Sequence, residues 1–318
     1  MSVLEARGIR KRFGRVQALD GVDLNVDAGE VFGFIGPNGA GKSTAIRVLL
    51  GIIRANEGTA RIFGQDVWKD AVAIHRRIAY VPGDVSLWNN LTGGEVIDLF
   101  CRLRGQREAP RRAELIERFD FDPTKKCGTY SKGNRQKVAL VAAFAADAEL
   151  YILDEPTSGL DPLMELVFRA CVAEVKARGA SVLLSSHILS EVEQLCDRIS
   201  IIRQGCIIDS GSLVELRHLT RNRVVLEAAS PLDGLAQLPG VYDLVVEAGT
   251  GAAAVSAAAG AAAGFSAAGA AAASTVSFHL DNAQTPALLA FLADKDVRHL
   301  SSAPPSLEEL FMSHYEGR

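Results

Sequence analysis

The sequence predicts an α/β protein: a buried, mostly parallel sheet with crossover helices and a helical insert, followed by a smaller α+β region. Three observations carry that expectation. The apolar run Val31-Phe32-Gly33-Phe34-Ile35 opens into a glycine-rich loop, Gly36-Pro37-Asn38-Gly39-Ala40-Gly41-Lys42-Ser43, and then into helix-forming Thr44 to Leu50. A second apolar run, Leu150-Tyr151-Ile152-Leu153, ends in two carboxylates, Asp154 and Glu155. A third, Ala180 to Ser186, ends at His187. Apolar runs without alternation suit parallel strands covered on both faces, and open α/β sheets bind ligands at the carboxyl ends of such strands.

The 318 residues suggest about two domains, each able to bury its own core. A formal net charge of −4 leaves no general basic field to attract nucleic acid. The start, Met1-Ser2-Val3-Leu4-Glu5-Ala6-Arg7, lacks the apolar core and cleavage site of a signal peptide. The best membrane candidate, Val138 to Ala146, is too short and is bounded by Lys137 and Asp147. Five cysteines, widely spaced and without a C-x-x-C pair, argue for reduced, mostly buried thiols rather than a disulfide scaffold or zinc site. The expectation is a soluble intracellular protein.

In chain order, Arg10-Lys11-Arg12-Phe13 places one aromatic among basic residues, and two readings stand for Phe13: a packed strand residue, or a ring on which a base stacks. Val22-Asp23-Leu24-Asn25-Val26 alternates as an antiparallel strand with one wet face does. The loop Gly36 to Ser43 fits the phosphate-binding pattern G-x-x-x-x-G-K-[ST] in the strand-loop-helix context that pattern requires. Its glycines let successive backbone N–H groups surround a polyphosphate at a helix N-terminus, with Lys42 along the β- and γ-phosphates and the Ser43 hydroxyl on Mg²⁺. Ala60 to Gly64 and Arg77 to Val81 read as strands around a short polar helix. Thr92-Gly93-Gly94-Glu95 caps a helix to about Leu103, with further helices over Arg111 to Phe119 and Arg135 to Phe144.

An acidic strand end is commonly a solvated turn or a cap. Beside a phosphate loop, though, Asp154 has a use as a Mg²⁺ partner, and Glu155 is placed to deprotonate an attacking water. Five of the six histidines (His75, His218, His279, His299, His314) read as surface or packing residues. His187 alone lies in line with the other chemistry, as a cap or a catalytic group. Ile199 to Ile202 and Cys206 to Asp209 complete the block as strands about a turn at Arg203-Gln204-Gly205.

From residue 221 the theme changes. Arg223 to Glu227, Leu232 to Leu238 and Val241 to Glu247 make a strand-helix-strand unit, and Thr275 to Leu280, Pro286 to Ala293 and Val297 to Ser301 make another. Together they suggest a β-α-β-β-α-β sandwich with a closing helix from Ser306 to Tyr315. Between the units, residues 249–274 are almost wholly alanine and glycine and read as a low-complexity loop insertion.

The order of phosphate loop, Tyr130-Ser131-Lys132-Gly133-Asn134, the run Ile152-Leu153-Asp154-Glu155-Pro156-Thr157-Ser158-Gly159-Leu160-Asp161 and Ser185-Ser186-His187 resembles the ABC ATPase cassette over residues 3 to about 217. The resemblance implies an ABC ATPase domain at residues 1–220. It would hold a RecA-like α/β core, an antiparallel β-subdomain and an inserted helical subdomain at about 84–147, with an accessory domain of ferredoxin-like type at 221–318.

It further implies ATP and Mg²⁺ as cofactors, with no other metal. Phe13 would stack on adenine, Gly36 to Thr44 would hold the phosphates, and Ser43 and Asp154 would bind Mg²⁺. Glu155 would be the general base, with His187 and Lys42 at the γ-phosphate. Tyr130 to Asn134 would be the signature, which caps ATP on a partner copy, and Asp161 would lie at the dimer seam. Two copies would pair head to tail, as one closed two-fold interface.

Two departures stand out. The usual signature is L-S-G-G-Q; Lys132, in place of glycine, either adds charge near the partner's phosphates or points to solvent. Gly83 stands where the family usually carries a glutamine, so either Asp84 substitutes for it or the loop only hinges the helical lobe. The tail, with its ending Pro305 to Phe311, resembles that of single-cassette exporter ATPases of the daunorubicin-resistance type. Those work on the cytoplasmic face of the membrane with a separate ABC-2-type permease.

Overall fold

The computed structural model describes residues 1–105, 111–213, 215, 221–230, 232–248, 255–256 and 274–303. The chain divides into two compact units, Met1–Leu213 and Val214–Arg318. In the first, β1 (Ser2–Phe13) and β2 (Val16–Asp27) form a long antiparallel hairpin that leads into β3 (Val31–Ile35) and α1 (Lys42–Leu49). Next come β4 (Glu57–Ile62), β5 (Gln65–Asp66), α2 (Ala71–His75) and β6 (Ile78–Val81). A helical lobe follows with α3 (Gly93–Leu103), α4 (Arg112–Arg118) and α5 (Lys132–Phe144). The chain then returns through β7 (Leu150–Asp154), α6 (Pro162–Ala177), β8 (Ser181–Ser186), α7 (Leu189–Leu195), β9 (Arg198–Arg203) and β10 (Cys206–Ser212).

Two sheets result. One is antiparallel in the order β2-β1-β4-β5, and the other runs β10-β9-β3-β8-β7-β6, parallel except for the β10 edge. Every residue of β3, β7 and β8 is buried, as their unbroken apolar character predicts for strands covered on both faces. Register then fixes the functional end of the sheet. Ile35 lies beside Ser186, and Ser185 lies beside Asp154, so the glycine loop, the two acids and His187 leave the sheet at one level.

The first helix of the lobe is capped as the spacing of Thr92 and Glu95 predicts. Thr92 and Glu95 form both halves of a capping box, and α3 ends at Leu103. Among the described residues, no helix is long and apolar enough to cross a membrane. Of the cysteines, all free, Cys206 is half-buried and the other four are buried.

The second unit contains β11 (Asn222–Ala228), β12 (Val241–Ala248), β13 (Val255–Ser256), β14 (Ser274–Leu280), α8 (Thr285–Leu292) and β15 (Val297–Ala303). Its sheet order is β13-β12-β14-β11-β15, and all the pairings are antiparallel. Leaving out the two-residue β13, that is the arrangement of a split β-α-β sandwich. Val224, Leu226, Val276, Phe278 and Leu288 form its core.

One expected element changes. The helix anticipated over Leu232 to Leu238 is a single 3₁₀ turn, Leu235–Gln237. Gly234 at φ 94° takes the left-handed conformation that starts the turn late. The closing helix anticipated at Ser306 to Tyr315 lies outside the described residues, as does all of 249–274 except Val255, Ser256 and Ser274.

Candidate functional site

The loop from Gly36 to Ser43 joins β3 to α1, with Ser43 and Thr44 in the first turn of the helix. Gly41 caps α1 at φ 113°, and a Cβ there would stand 2.8 Å from the Ala18 carbonyl oxygen. Only glycine fits on both counts. Lys42 is 4% exposed, and its ammonium donates to the carbonyls of Gly36 at 2.6 Å and Pro37 at 3.3 Å. A buried cation needs such partners and a counter-charge.

Glu155 supplies the charge. Its Oε1 lies 3.4 Å from Lys42 Nζ, and its Oε2 lies 3.4 Å from His187 Nδ1, so one carboxylate links the ends of three elements. Glu155 also adopts φ 47°, a conformation costly for a residue with a Cβ, of order 1–3 kcal/mol. Its backbone N–H donates to the Ser185 carbonyl at 3.0 Å and to Ser185 Oγ at 3.2 Å, which holds the turn. Asp154, 4% exposed, accepts from Ser185 Oγ at 2.5 Å. Ser185 therefore orients both acids. Burial, aided by the charge of Asp154, pushes the Tyr80 phenol up to about 12, so it stays neutral.

Gly83, just past β6, packs against this pair. A Cβ there would stand 3.2 Å from the Asp154 carbonyl oxygen and 3.6 Å from Glu155 Cβ. Asp84 is exposed. Phe13 ends β1, half exposed, with Lys11 Nζ 5.0 Å from its ring centre.

The segment Tyr130 to Asn134 starts α5. Tyr130 is buried and its hydroxyl donates to the Asp122 carbonyl at 2.5 Å. Ser131 is the cap, accepting the Asn134 N–H at 3.2 Å. Gly133 meets the loop after Glu155 so closely that a Cβ would lie 2.6 Å from the Gly159 carbonyl oxygen. Lys132 is exposed, and its ammonium donates to Ser158 Oγ at 2.9 Å within its own chain. The buried Gln136 amide adds a bond to the Pro156 carbonyl at 2.8 Å. Asp161 caps α6 by accepting the Met164 N–H at 3.0 Å.

Sequence reasoning missed two residues here and the role of a third. Gln136 read as helix filler, and Glu191 lies inside a short helix with no motif of its own. The only signal for those two is a polar side chain in an apolar segment, whereas Ser185 belonged to the Ser185-Ser186-His187 motif without its bond to Asp154 being foreseen.

A glycine loop between β3 and α1, with paired acids at the end of β7 of the same parallel sheet, defines the phosphate-loop class of α/β proteins. Within that class, residues 19–158 match the family model described as ABC transporter. The chain is 40% identical over 219 residues to the daunorubicin/doxorubicin resistance ATP-binding protein DrrA of Streptomyces peucetius, covering 67% of this chain and 66% of that one. It is also 40% identical over 248 residues to the daunorubicin resistance ATP-binding protein DrrA3 of Streptomyces coeruleorubidus, covering 76% of this chain and 78% of that one. A solved structure of an ATP-binding subunit of an ABC transporter aligns with TM-score 0.65 and 34% identity, over 68% of this chain and 92% of that one. The chain belongs to the ABC transporter family, as an ATP-binding cassette.

Proposed function

We propose that this protein is the ATP-hydrolysing subunit of an ABC exporter. It would act as a homodimer on the cytoplasmic face of a membrane, with a separate ABC-2-type permease. The observation that carries this reading is the link from Lys42 through Glu155 to His187 at the end of the parallel sheet. In this reading a cation, a carboxylate and an imidazole would stand where a γ-phosphate on the glycine loop meets an attacking water. The names of the drug-resistance relatives support export.

In this reading Gly36 to Thr44 wrap the phosphates, Phe13 stacks on the adenine, and Lys42 neutralises charge that grows in the transition state. Glu155 takes the proton of the water, and His187 orients the water and the γ-phosphate. Ser43 and Asp154 would hold Mg²⁺; a hydroxyl and a buried carboxylate are the hard oxygen donors that ion prefers, and it would offset phosphate charge. Ser131 and Gly133 would receive the γ-phosphate of a partner's ATP, with Asp161 at the seam. Replacing Glu155 by Gln should lower ATP turnover by about 10²–10⁴-fold while ATP still binds. Wild-type turnover in that variant would remove Glu155 as the base.

One observation favours a second reading, an ATP-binding module with a regulatory role and weak hydrolysis. Gly83 puts backbone, not a glutamine side chain, against Asp154. ATPase rates of the purified protein with and without its permease separate the two, since the first reading requires that the permease change the rate.

A further inference from the structure

Glu191, in the first turn of α7, is a buried acid that the reading above does not use. It is 9% exposed, and burial pushes its carboxyl up from its ordinary value. Its Oε2 accepts from Ser186 Oγ at 3.1 Å, and the same hydroxyl accepts the Ile188 N–H at 2.9 Å. The carboxyl group is thereby tied to both neighbours of His187. Thr157, 6% exposed and two residues past Glu155, also acts on the carboxyl: its hydroxyl, like that of Ser186, favours the charged form of Glu191. Oε1 is buried and carries no hydrogen bond. The charged groups facing it are His187, which favours ionisation, and Glu165 on α6, which opposes it.

Packing does not account for an acid here. A buried oxygen without a partner weakens a fold, and an apolar side chain of the same shape would serve packing better. The platform is rigid too. Val192 and Cys196 press on β3 so closely that a Cβ at Gly33 would come within 2.7 Å of Val192 Cγ1.

We propose that Glu191 is a positioning residue for ATP hydrolysis, holding the corner that carries His187 in register with the loop that follows Glu155. The bond to Ser186 is one arm, and the interaction of the carboxyl group with the Thr157 hydroxyl is the other. The proposal rests on Glu155 and His187 acting at the γ-phosphate.

The test uses the purified full chain, ATPase kinetics, equilibrium binding of a fluorescent ATP analogue, and thermal unfolding. Glu191→Leu should lower kcat by roughly 10- to 100-fold, the scale set by small misplacements of reacting groups. Affinity for the analogue should stay within about twofold of wild type, and Tm should hold or rise, because the unpaired oxygen is gone. Glu191→Gln, whose amide oxygen still accepts from the hydroxyls, should recover most of kcat. Thr157→Val should lower kcat as well, and combined with Glu191→Leu it should add little, since both changes cut the same link. Should Glu191→Leu not fold, the Thr157→Val and Glu191→Gln pair carries the same comparison.

Wild-type kcat in Glu191→Leu would overturn the proposal. So would a loss of kcat matched by equal losses of affinity and Tm, or losses from the two sites that multiply. A parallel Glu155→Gln measurement keeps the two ideas apart: undiminished turnover there defeats the underlying reading, whereas lost turnover there with an active Glu191→Leu defeats this proposal alone.

Discussion

The carboxyl end of the parallel sheet and the N-terminus of α5 are built in opposite ways. At the sheet end, a buried ammonium, a carboxylate and an imidazole converge within 3.4 Å contacts, and the backbone of Glu155 is held in a costly conformation to bring this about. At α5 the polar groups are spent locally. Tyr130 bonds to a backbone carbonyl, Ser131 caps its own helix, and Lys132 bonds to Ser158. Among the described residues, no hydrogen bond or ion pair joins Tyr130 to Asn134 with Lys42, Asp154, Glu155 or His187. In the proposed reading the first place gathers what would move protons and neutralise charge. The second offers only donors, the free N–H groups of a first turn, which suit an anion brought from elsewhere. In the proposed reading these would be half-sites that complete one another between copies.

The change that presses hardest on the sheet end is Lys42→Ala. It removes a buried cation and leaves Glu155 facing His187 alone. ATP affinity should fall by roughly 10²-fold or more, the cost of deleting a desolvated charge contact of a few kcal/mol. Turnover at fixed ATP should fall with it, and titration with a fluorescent analogue reads the affinity directly. Unchanged affinity would mean that phosphates do not rest on this loop.

A smaller effect is expected from Gly133→Val, which addresses the other side of the comparison. The new Cβ would fall 2.6 Å from the Gly159 backbone oxygen, so either α5 or the loop must shift. Turnover should drop by about tenfold, by misplacing groups rather than removing them. Binding of ATP to the single chain should persist, while ATP-dependent pairing of Glu155→Gln chains, followed by light scattering, should be lost. If pairing survives, α5 is not part of a seam.

The sequence made the sheet end largely readable and the α5 end only partly so. Val31 to Ile35 is a strand with the bounds its apolar run suggests, and Thr92 and Glu95 form the capping box that their spacing announces. These are local properties: burial pattern in one case, a three-residue offset in the other. The bond from Lys132 to Ser158 spans 26 positions and depends on how α5 meets a loop, which no local pattern encodes. Glu191 is hidden for a related reason. Its partners, Ser186 and Thr157, come from two segments, and only the assembled sheet shows that the acid is buried. The missing helix at Leu232 to Leu238 shows the converse case, in which Gly234 in the left-handed conformation overrides an apolar pattern.

The smallest effect tests whether the helical lobe is a separately tunable part. Thr92 Oγ1 accepts the Glu95 N–H at 3.2 Å, and Glu95 Oε2 accepts the Thr92 N–H at 2.7 Å. Thr92→Ala should cost about 1 kcal/mol of stability, typical for a lost cap, seen as a lower urea midpoint with an unchanged slope. The bond to the Thr92 N–H, with that from its side chain second, holds the Glu95 carboxyl below its unfolded value of 4.5. Folding therefore favours the ionised form. That contribution is present in full above pH 4.5 and is lost as the pH falls through the lower folded value. Thr92→Ala keeps the backbone N–H, the larger cause, so the gap to wild type should narrow on acidification only by the side chain's smaller share. ATP turnover at neutral pH should change by less than about twofold, because the cap touches neither the sheet end nor the start of α5. A large loss of turnover with little loss of stability would show instead that the start of α3 is coupled to the chemistry.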